Sequence, residues 1–181
     1  MKNMAILGVG NVLEKDDGVA IYATSYLERN YTFSPSVDIL NGGVEGVNLL
    51  NLFMEYRYIL LLDAIEIDDE AGSVYHIPSD ELTGYGLNSG GAHEMGVIQC
   101  FDILELMGKE IPKSSVLGIV PKEIDVFIGL SEVIAEKFNE YVQTTLKILN
   151  DLGVDVARRK EVVSLETIIE EFRNPRSRFF G

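Results

Sequence analysis

Residues 58–64 have the sequence Tyr58-Ile59-Leu60-Leu61-Leu62-Asp63-Ala64. An uninterrupted apolar run of this length is typical of a central parallel strand, because both faces of such a strand are covered by the rest of the chain. The run ends in Asp63, and a carboxylate in apolar surroundings must be paired, hydrogen-bonded or metal-bound to offset its loss of water. This stretch therefore predicts a buried sheet and a functional residue where the strand ends.

The segments on either side of this strand alternate between strand and helix patterns. Met4–Val9 is a short apolar run, and Gly18–Arg29 carries apolar residues about one helical turn apart. The other predicted elements are strands at Ser36–Leu40, Ser73–Ile77 and Ser114–Val120, and helices at Val44–Tyr56, Glu94–Met107 and Gly129–Leu152. The strand at Ser73–Ile77 is expected near an edge of the sheet, because Pro78 follows it. This alternation predicts an α/β fold, a single three-layer domain with a twisted, mostly parallel sheet of about five strands and helices on both faces.

The pattern changes near residue 154. We assign residues 1–153 to the α/β domain and residues 154–181 to a C-terminal extension. The extension contains a short amphipathic helix, which is marked by Leu165, Ile168, Ile169 and Phe172.

Composition narrows the class of protein. The formal net charge of −14 argues against a nucleic-acid partner, since binding to phosphates needs basic patches. No apolar run is long enough for a transmembrane helix, and no signal peptide is recognisable, so we expect a cytoplasmic protein without membrane contact. Cys100 is the single cysteine, which excludes an internal disulfide and a zinc site built from several cysteines. Nothing in the sequence demands assembly, and a monomer is expected.

Three separated residues are candidate metal ligands. Asp17 follows the first strand, Asp63 ends the central strand, and His93 follows the glycine-rich loop that closes with Gly90-Gly91. Because ligands of parallel sheets bind at the carboxyl ends of strands, we expect Asp17 and Asp63 at that edge. Two carboxylates and an imidazole suit a divalent first-row metal. Asp16 is a further catalytic candidate, because a helix cap requires only one of the two adjacent acids.

A nucleotide site is the main alternative for the first glycine turn. The third glycine of the dinucleotide fingerprint would fall at position 13, which is Leu13. Asp16 and Asp17 would place two negative charges where a pyrophosphate binds. The turn therefore favours the presentation of carboxylates over the binding of phosphate.

Taken together, these motifs resemble those of the nickel–iron hydrogenase maturation proteases. The resemblance covers roughly residues 3–153. It rests on four motifs that occur in the family's order, and on the later segments Gly118-x-x-Pro121 and Ile128-Gly129-Leu130-Ser131. The four motifs are Gly8-x-Gly10-Asn11-x-Leu13-x-x-Asp16-Asp17-Gly18, Asn41-Gly42-Gly43, Leu62-Asp63-Ala64 and His93-x-x-Gly96.

The resemblance implies an activity and a substrate. Members of this family remove a C-terminal peptide from the precursor of the hydrogenase large subunit after nickel has been inserted. The family's metal-contacting positions correspond to Asp17, Asp63 and His93, with nickel brought by the substrate rather than permanently bound. The first position is often Glu in relatives, and Asn41 stands where an aspartate is common. On this reading a nickel-polarised carbonyl, a nickel-activated water, or Asp16 or Asp17 acting as general base would drive hydrolysis.

Two other functions use the same residues. The first is a zinc-dependent hydrolase of small substrates, with Asp17, Asp63 and His93 holding a resident zinc ion. The second is a non-enzymatic nickel-sensing chaperone, which would bind the nickel-loaded precursor without cutting it.

Overall fold

The protein is described by a computed structural model that covers residues 2–43, 46–78, 81, 103–110 and 112–175. Seven strands are present in these ranges. They are β1 (Lys2–Val9), β2 (Tyr31–Ser34), β3 (Asp38–Gly43), β4 (Tyr56–Ala64), β5 (Val74–Pro78), β6 (Lys113–Ile119) and β7 (Asp155–Arg158). The helices are α1 (Val19–Asn30), α2 (Gly46–Glu55), α3 (Glu132–Asp151) and α4 (Leu165–Arg173), and a 3-10 turn (Lys15–Gly18) precedes α1.

Five of the strands form one sheet in the order β3-β1-β4-β6-β5. β4 lies in the middle and pairs in parallel with β1 and β6, with Gly8 beside Leu62 and Asp63 beside Gly118. Because these three strands run in the same direction, the carboxyl ends of β1, β4 and β6 lie at the same end of the sheet. The predicted α/β architecture and the central position of β4 are confirmed.

Helices cover both faces of this sheet. On one face, Leu60 and Leu62 of β4 pack with α1 and α3. On the other face, Ile59 and Leu61 pack with α2 and with the helical segment 103–106. Because neighbouring residues of a strand point to opposite faces, a strand between two helical layers must be apolar throughout, as β4 is.

One edge of the sheet is antiparallel. β5 pairs antiparallel with β6 and ends at Pro78, which cannot donate a hydrogen bond to a further strand. The edge position predicted from this proline is therefore observed.

A second, smaller sheet joins the extension to the domain. β7 pairs antiparallel with β2, from Tyr31 beside Arg158 to Ser34 beside Asp155. α4 packs on α1, where Ile168 is buried and the ring of Phe172 meets that of Tyr22 edge-on at 5.4 Å. The predicted amphipathic helix of the extension is thus present and packed. The division of the chain at residue 153 stays a prediction.

Several boundaries differ from those predicted. The strand predicted at Ser36–Leu40 is β3, which begins at Asp38 and continues to Gly43, because parallel pairing with β1 supplies hydrogen bonds that outweigh the low strand preference of glycine. The helix predicted from Gly129 begins at Glu132, since Ser131 caps it. Most of the helix predicted at Glu94–Met107 lies outside the described residues.

Within the described part of the chain, no helix combines the length and apolar composition that crossing a bilayer would require.

Candidate functional site

Two loops meet at the end of the sheet where β1, β4 and β6 have their carboxyl ends. One follows β1 and carries the 3-10 turn, and the other follows β6. The backbone N–H of Lys15 donates to the carbonyl of Phe127 at 2.8 Å, and the N–H of Phe127 donates to the carbonyl of Leu13 at 3.0 Å. These hydrogen bonds join the loops in a short parallel bridge between Glu14 and Phe127.

Asp17 lies on the 3-10 turn, at the junction of β1 and α1. Its Oδ2 atom accepts a hydrogen bond of 2.8 Å from the backbone N–H of Asn11. The side chain is partly exposed. Asp17 is therefore oriented by the loop that precedes it while part of its side chain remains accessible.

Asp16, the adjacent residue, is fully buried. Its carboxylate accepts hydrogen bonds from the backbone N–H groups of Lys122 at 3.0 Å, Glu123 at 2.8 Å and Ser131 at 2.7 Å. The hydroxyl of Ser131 donates a further hydrogen bond of 2.7 Å. Asp16 thus ties the loop after β1 to the loop after β6. A catalytic role for Asp16 stays a prediction, and these contacts favour Asp17 as the acid that meets a substrate.

Ser131 is a residue whose importance the sequence did not reveal. It is 4% exposed, and its hydroxyl oxygen also accepts a hydrogen bond of 3.4 Å from the N–H of Ile134 at the start of α3. A serine directly before an amphipathic helix signals an N-cap. That signal could have located the start of α3, although it could not have identified Asp16 as the partner.

Asp63 lies at the carboxyl end of β4 and is 5% exposed. β4 contacts the 3-10 turn, so the fold brings together the elements that carry Asp17 and Asp63. Gly118 of β6 lies beside Asp63 of β4. It has no room for a side chain, because a Cβ atom at position 118 would lie 2.3 Å from the side chain of Ile65. The end of β4 is thus held closely against β6.

Tyr141 of α3 fixes this end of β4. Its hydroxyl accepts a hydrogen bond of 3.1 Å from the backbone N–H of Asp63 and donates one of 2.7 Å to the carbonyl of Leu117. Burial raises the pKa of Tyr141 well above 10, and the nearby negative charge of Asp63 adds to the rise. Tyr141 lies on the buried side of α3 among apolar residues, and nothing in the sequence pattern distinguishes it from a core residue.

Replacing Tyr141 by Phe is expected to destabilise the protein by about 1–3 kcal/mol at neutral pH, because the N–H of Asp63 loses its buried acceptor. The measurement is urea unfolding of both proteins.

A tyrosine whose pKa is raised by folding stabilises the native state below its ordinary pKa of 10.0, and this contribution falls as the pH rises further. The difference between the two proteins should therefore shrink above about pH 10. An equal difference at pH 8 and above pH 10 would contradict the assigned pKa.

Gly10 allows the loop after β1 to reach the 3-10 turn. Its φ angle is +150°, and a Cβ atom at this position would lie 2.0 Å from the carbonyl oxygen of Asp17. A side chain at position 10 would therefore displace the backbone that presents Asp17.

Replacing Gly10 by Ala is expected to cost at least about 3 kcal/mol, from backbone strain together with the collision. Gly153 is the matched control. Its φ is +84°, and nothing lies within 4 Å of the added Cβ atom. Gly153→Ala should therefore cost only the strain, about 1–2 kcal/mol. Denaturant unfolding of both variants tests the difference, and equal losses would show that the contact with Asp17 is unimportant.

His93 and its glycine loop lie outside the described residues. Among residues 2–43, 46–78, 81, 103–110 and 112–175, no group of three or more His, Cys, Asp and Glu side chains is arranged to hold a metal ion. The predicted trio needs His93 as its third member, so its assembly stays a prediction. Asp17 and Asp63 are the described residues available to it.

A family model and two similar proteins are named for the formation or maturation of hydrogenases. A family model described as hydrogenase maturation protease (HycI) matches residues 21–148. The hydrogenase expression/formation protein HupD of Thiocapsa roseopersicina is 30% identical over 159 residues, which cover 86% of this chain and 71% of HupD. The hydrogenase 2 maturation protease of Escherichia coli K12 is 25% identical over 158 residues, covering 87% of this chain and 96% of that protein.

Solved structures give the same answer. The hydrogenase maturating endopeptidase HybD from Escherichia coli superposes with a TM-score of 0.79 at 25% identity, covering 88% of this chain and 98% of HybD. The [NiFe] hydrogenase maturation protease HybD from Thermococcus kodakarensis superposes with a TM-score of 0.66 at 28% identity, covering 82% and 99%. The resemblance found in the sequence motifs is confirmed. The chain therefore belongs to the hydrogenase maturation protease family and is a peptidase.

Proposed function

We propose that this peptidase removes a C-terminal peptide from the nickel-loaded precursor of a nickel–iron hydrogenase large subunit. The observation that carries the proposal is the position of Asp63. It is a nearly buried acid at the end of the central strand, and that strand contacts the turn that carries Asp17. The names of the similar proteins, which refer to hydrogenase maturation, support the choice of substrate.

The nickel ion in this proposal is part of the substrate. Asp17 and Asp63 supply carboxylate oxygens, and His93, predicted from the sequence as the third ligand, supplies an imidazole nitrogen. Such a mixed donor set suits a divalent first-row metal. An ion held by these residues would position the adjoining scissile bond in the cleft. A precursor without nickel would lack this anchor, which would make the peptidase selective for finished metal centres.

Hydrolysis then adds water across one amide bond. The water oxygen forms a bond with the carbonyl carbon, the bond from that carbon to nitrogen breaks, and a proton passes to the leaving nitrogen. Nickel beside the bond would polarise the carbonyl or lower the pKa of a bound water. If a carboxylate takes the proton of the water, Asp17 is the better candidate, because Asp16 is buried and already accepts four hydrogen bonds.

The test is the intact mass of the large subunit produced in cells with and without this protein. We expect the mass to fall by one defined C-terminal fragment only when the peptidase is present, which would also identify the cleavage site. An unchanged mass together with tight binding of the precursor would instead support a chaperone. Stoichiometric zinc in the purified protein, with turnover of simple amides, would support the small-substrate hydrolase.

A further inference from the structure

Four large apolar side chains are exposed on the two loops that flank Asp17. Leu13 lies on the loop after β1 and is 56% exposed. Ile124, Val126 and Phe127 lie on the loop after β6 and are 45%, 87% and 50% exposed. We call these four residues the loop patch. Exposed apolar side chains grouped on two joined loops are typical of an interaction site.

The loop patch is held in place by its own loops. The hydrogen bonds from Lys15 to Phe127 and from Phe127 to Leu13 fix the two backbones side by side. The Phe127 ring also lies 5.7 Å from the ammonium group of Lys15 and 5.2 Å from the guanidinium group of Arg173. Exposed apolar side chains on an ordered backbone lose less conformational entropy when a partner covers them.

The location of the loop patch limits what can cover it. Leu13 is four residues from Asp17, and Asp16 binds the loop after β6 through the N–H groups of Lys122 and Glu123. A polypeptide whose scissile bond lies at Asp17 therefore has these loops as its neighbouring surface. The loop patch therefore lies on the loop that carries Asp17 and on the loop joined to it through Asp16.

Charge indicates the chemistry of the covering segment. Residues 11–18 and 120–127 contain five acidic and two basic residues, and Lys15 is paired with Glu123. Arg173, beside Phe127, adds one positive charge and is itself paired with Glu170. This excess of acid disfavours an acidic ligand and favours basic side chains beside an apolar one.

We propose that the loop patch is a docking surface for an apolar segment of the precursor that is flanked by basic residues. The inference rests on the proposed function and adds a second recognition element to it. Binding of nickel would select precursors whose metal centre is complete, and the loop patch would bind the polypeptide near the scissile bond.

Val126→Asn tests this surface, because the residue is 87% exposed, its replacement should not disturb the fold, and the charge of the loop stays the same. With nickel-loaded precursor as substrate, we expect KM to rise about tenfold or more while kcat and the melting temperature stay unchanged. Val126→Leu keeps the surface apolar and should preserve KM. KM should also rise with ionic strength, because salt screens the attraction between the acidic loops and the basic flanks.

Val162→Asn is the control. It makes the same chemical change at an exposed valine that lies far from the site. The neighbouring residue Val163 donates its N–H to the side chain of Asn30, which ends α1, whereas the site lies at the start of α1. Equal KM values for Val126→Asn and Val162→Asn would overturn the docking surface and leave the proposed function intact. A KM that is insensitive to salt would contradict the basic flanks. Failure of the unsubstituted enzyme to cut the precursor would refute the proposed function, and this inference with it.

Discussion

Replacing Asp63 by Asn is expected to slow cleavage of the nickel-loaded precursor at least about 100-fold. The substitution keeps the shape of the side chain but removes its charge, and a neutral amide is a weaker ligand for a divalent ion than a carboxylate. Because Tyr141 contacts the backbone of Asp63, its hydrogen bonds are compatible with Asn at this position. The cleavage rate should therefore fall without unfolding.

The rate is measured by following the released C-terminal fragment by mass spectrometry, and the fold is checked by the melting temperature. His93→Ala should have a similar effect on the rate. Asp151→Asn is the control, because Asp151 ends α3 on the surface and pairs with Lys147. Undiminished cleavage by both Asp63→Asn and His93→Ala would remove these residues from the mechanism.

Replacing Asp16 by Ala should reduce the free energy of unfolding by about 3–5 kcal/mol. The backbone N–H groups of Lys122, Glu123 and Ser131 would lose their shared acceptor in a buried site. The hydroxyl of Ser131 would lose its acceptor as well. Urea unfolding measures the loss.

Asp125→Ala is the matched control for this prediction. Asp125 is an exposed acid on the loop after β6, which is the loop that Asp16 binds, and its carboxylate accepts one local hydrogen bond from the N–H of Val126. Its replacement should change the stability by no more than about 0.5 kcal/mol. If Asp16→Ala is no more destabilising than this control and instead impairs only catalysis, Asp16 is a catalytic residue rather than the connection between the loops.

The main sheet was predictable because its strands carry strong local signals. The apolar run at Tyr58–Leu62 identified the central strand, and Pro78 identified an edge. The pairing of β2 with β7 was missed because both strands have only four residues and their partners are distant in sequence. Such short strands have too few residues for an alternating pattern.

The site was predictable to the level of residue type and approximate position. The sequence placed two acids side by side after β1, but it could not distinguish their roles. That distinction depends on residues more than 100 positions away, in the loop that surrounds Asp16 and leaves Asp17 partly exposed. The role of Tyr141 could not be predicted for a similar reason. Its hydroxyl accepts the hydrogen bond from Asp63 only when α3 packs on the end of β4. Tertiary contacts of this kind leave no local pattern.

The most direct test of the account compares one precursor in two metal states. Purified large-subunit precursor, with nickel and without it, is incubated with the peptidase, and its intact mass is followed over time. We expect the C-terminal fragment to be released from the nickel-loaded form alone. Release at the same rate from the nickel-free form would contradict recognition of substrate nickel by Asp17, Asp63 and His93.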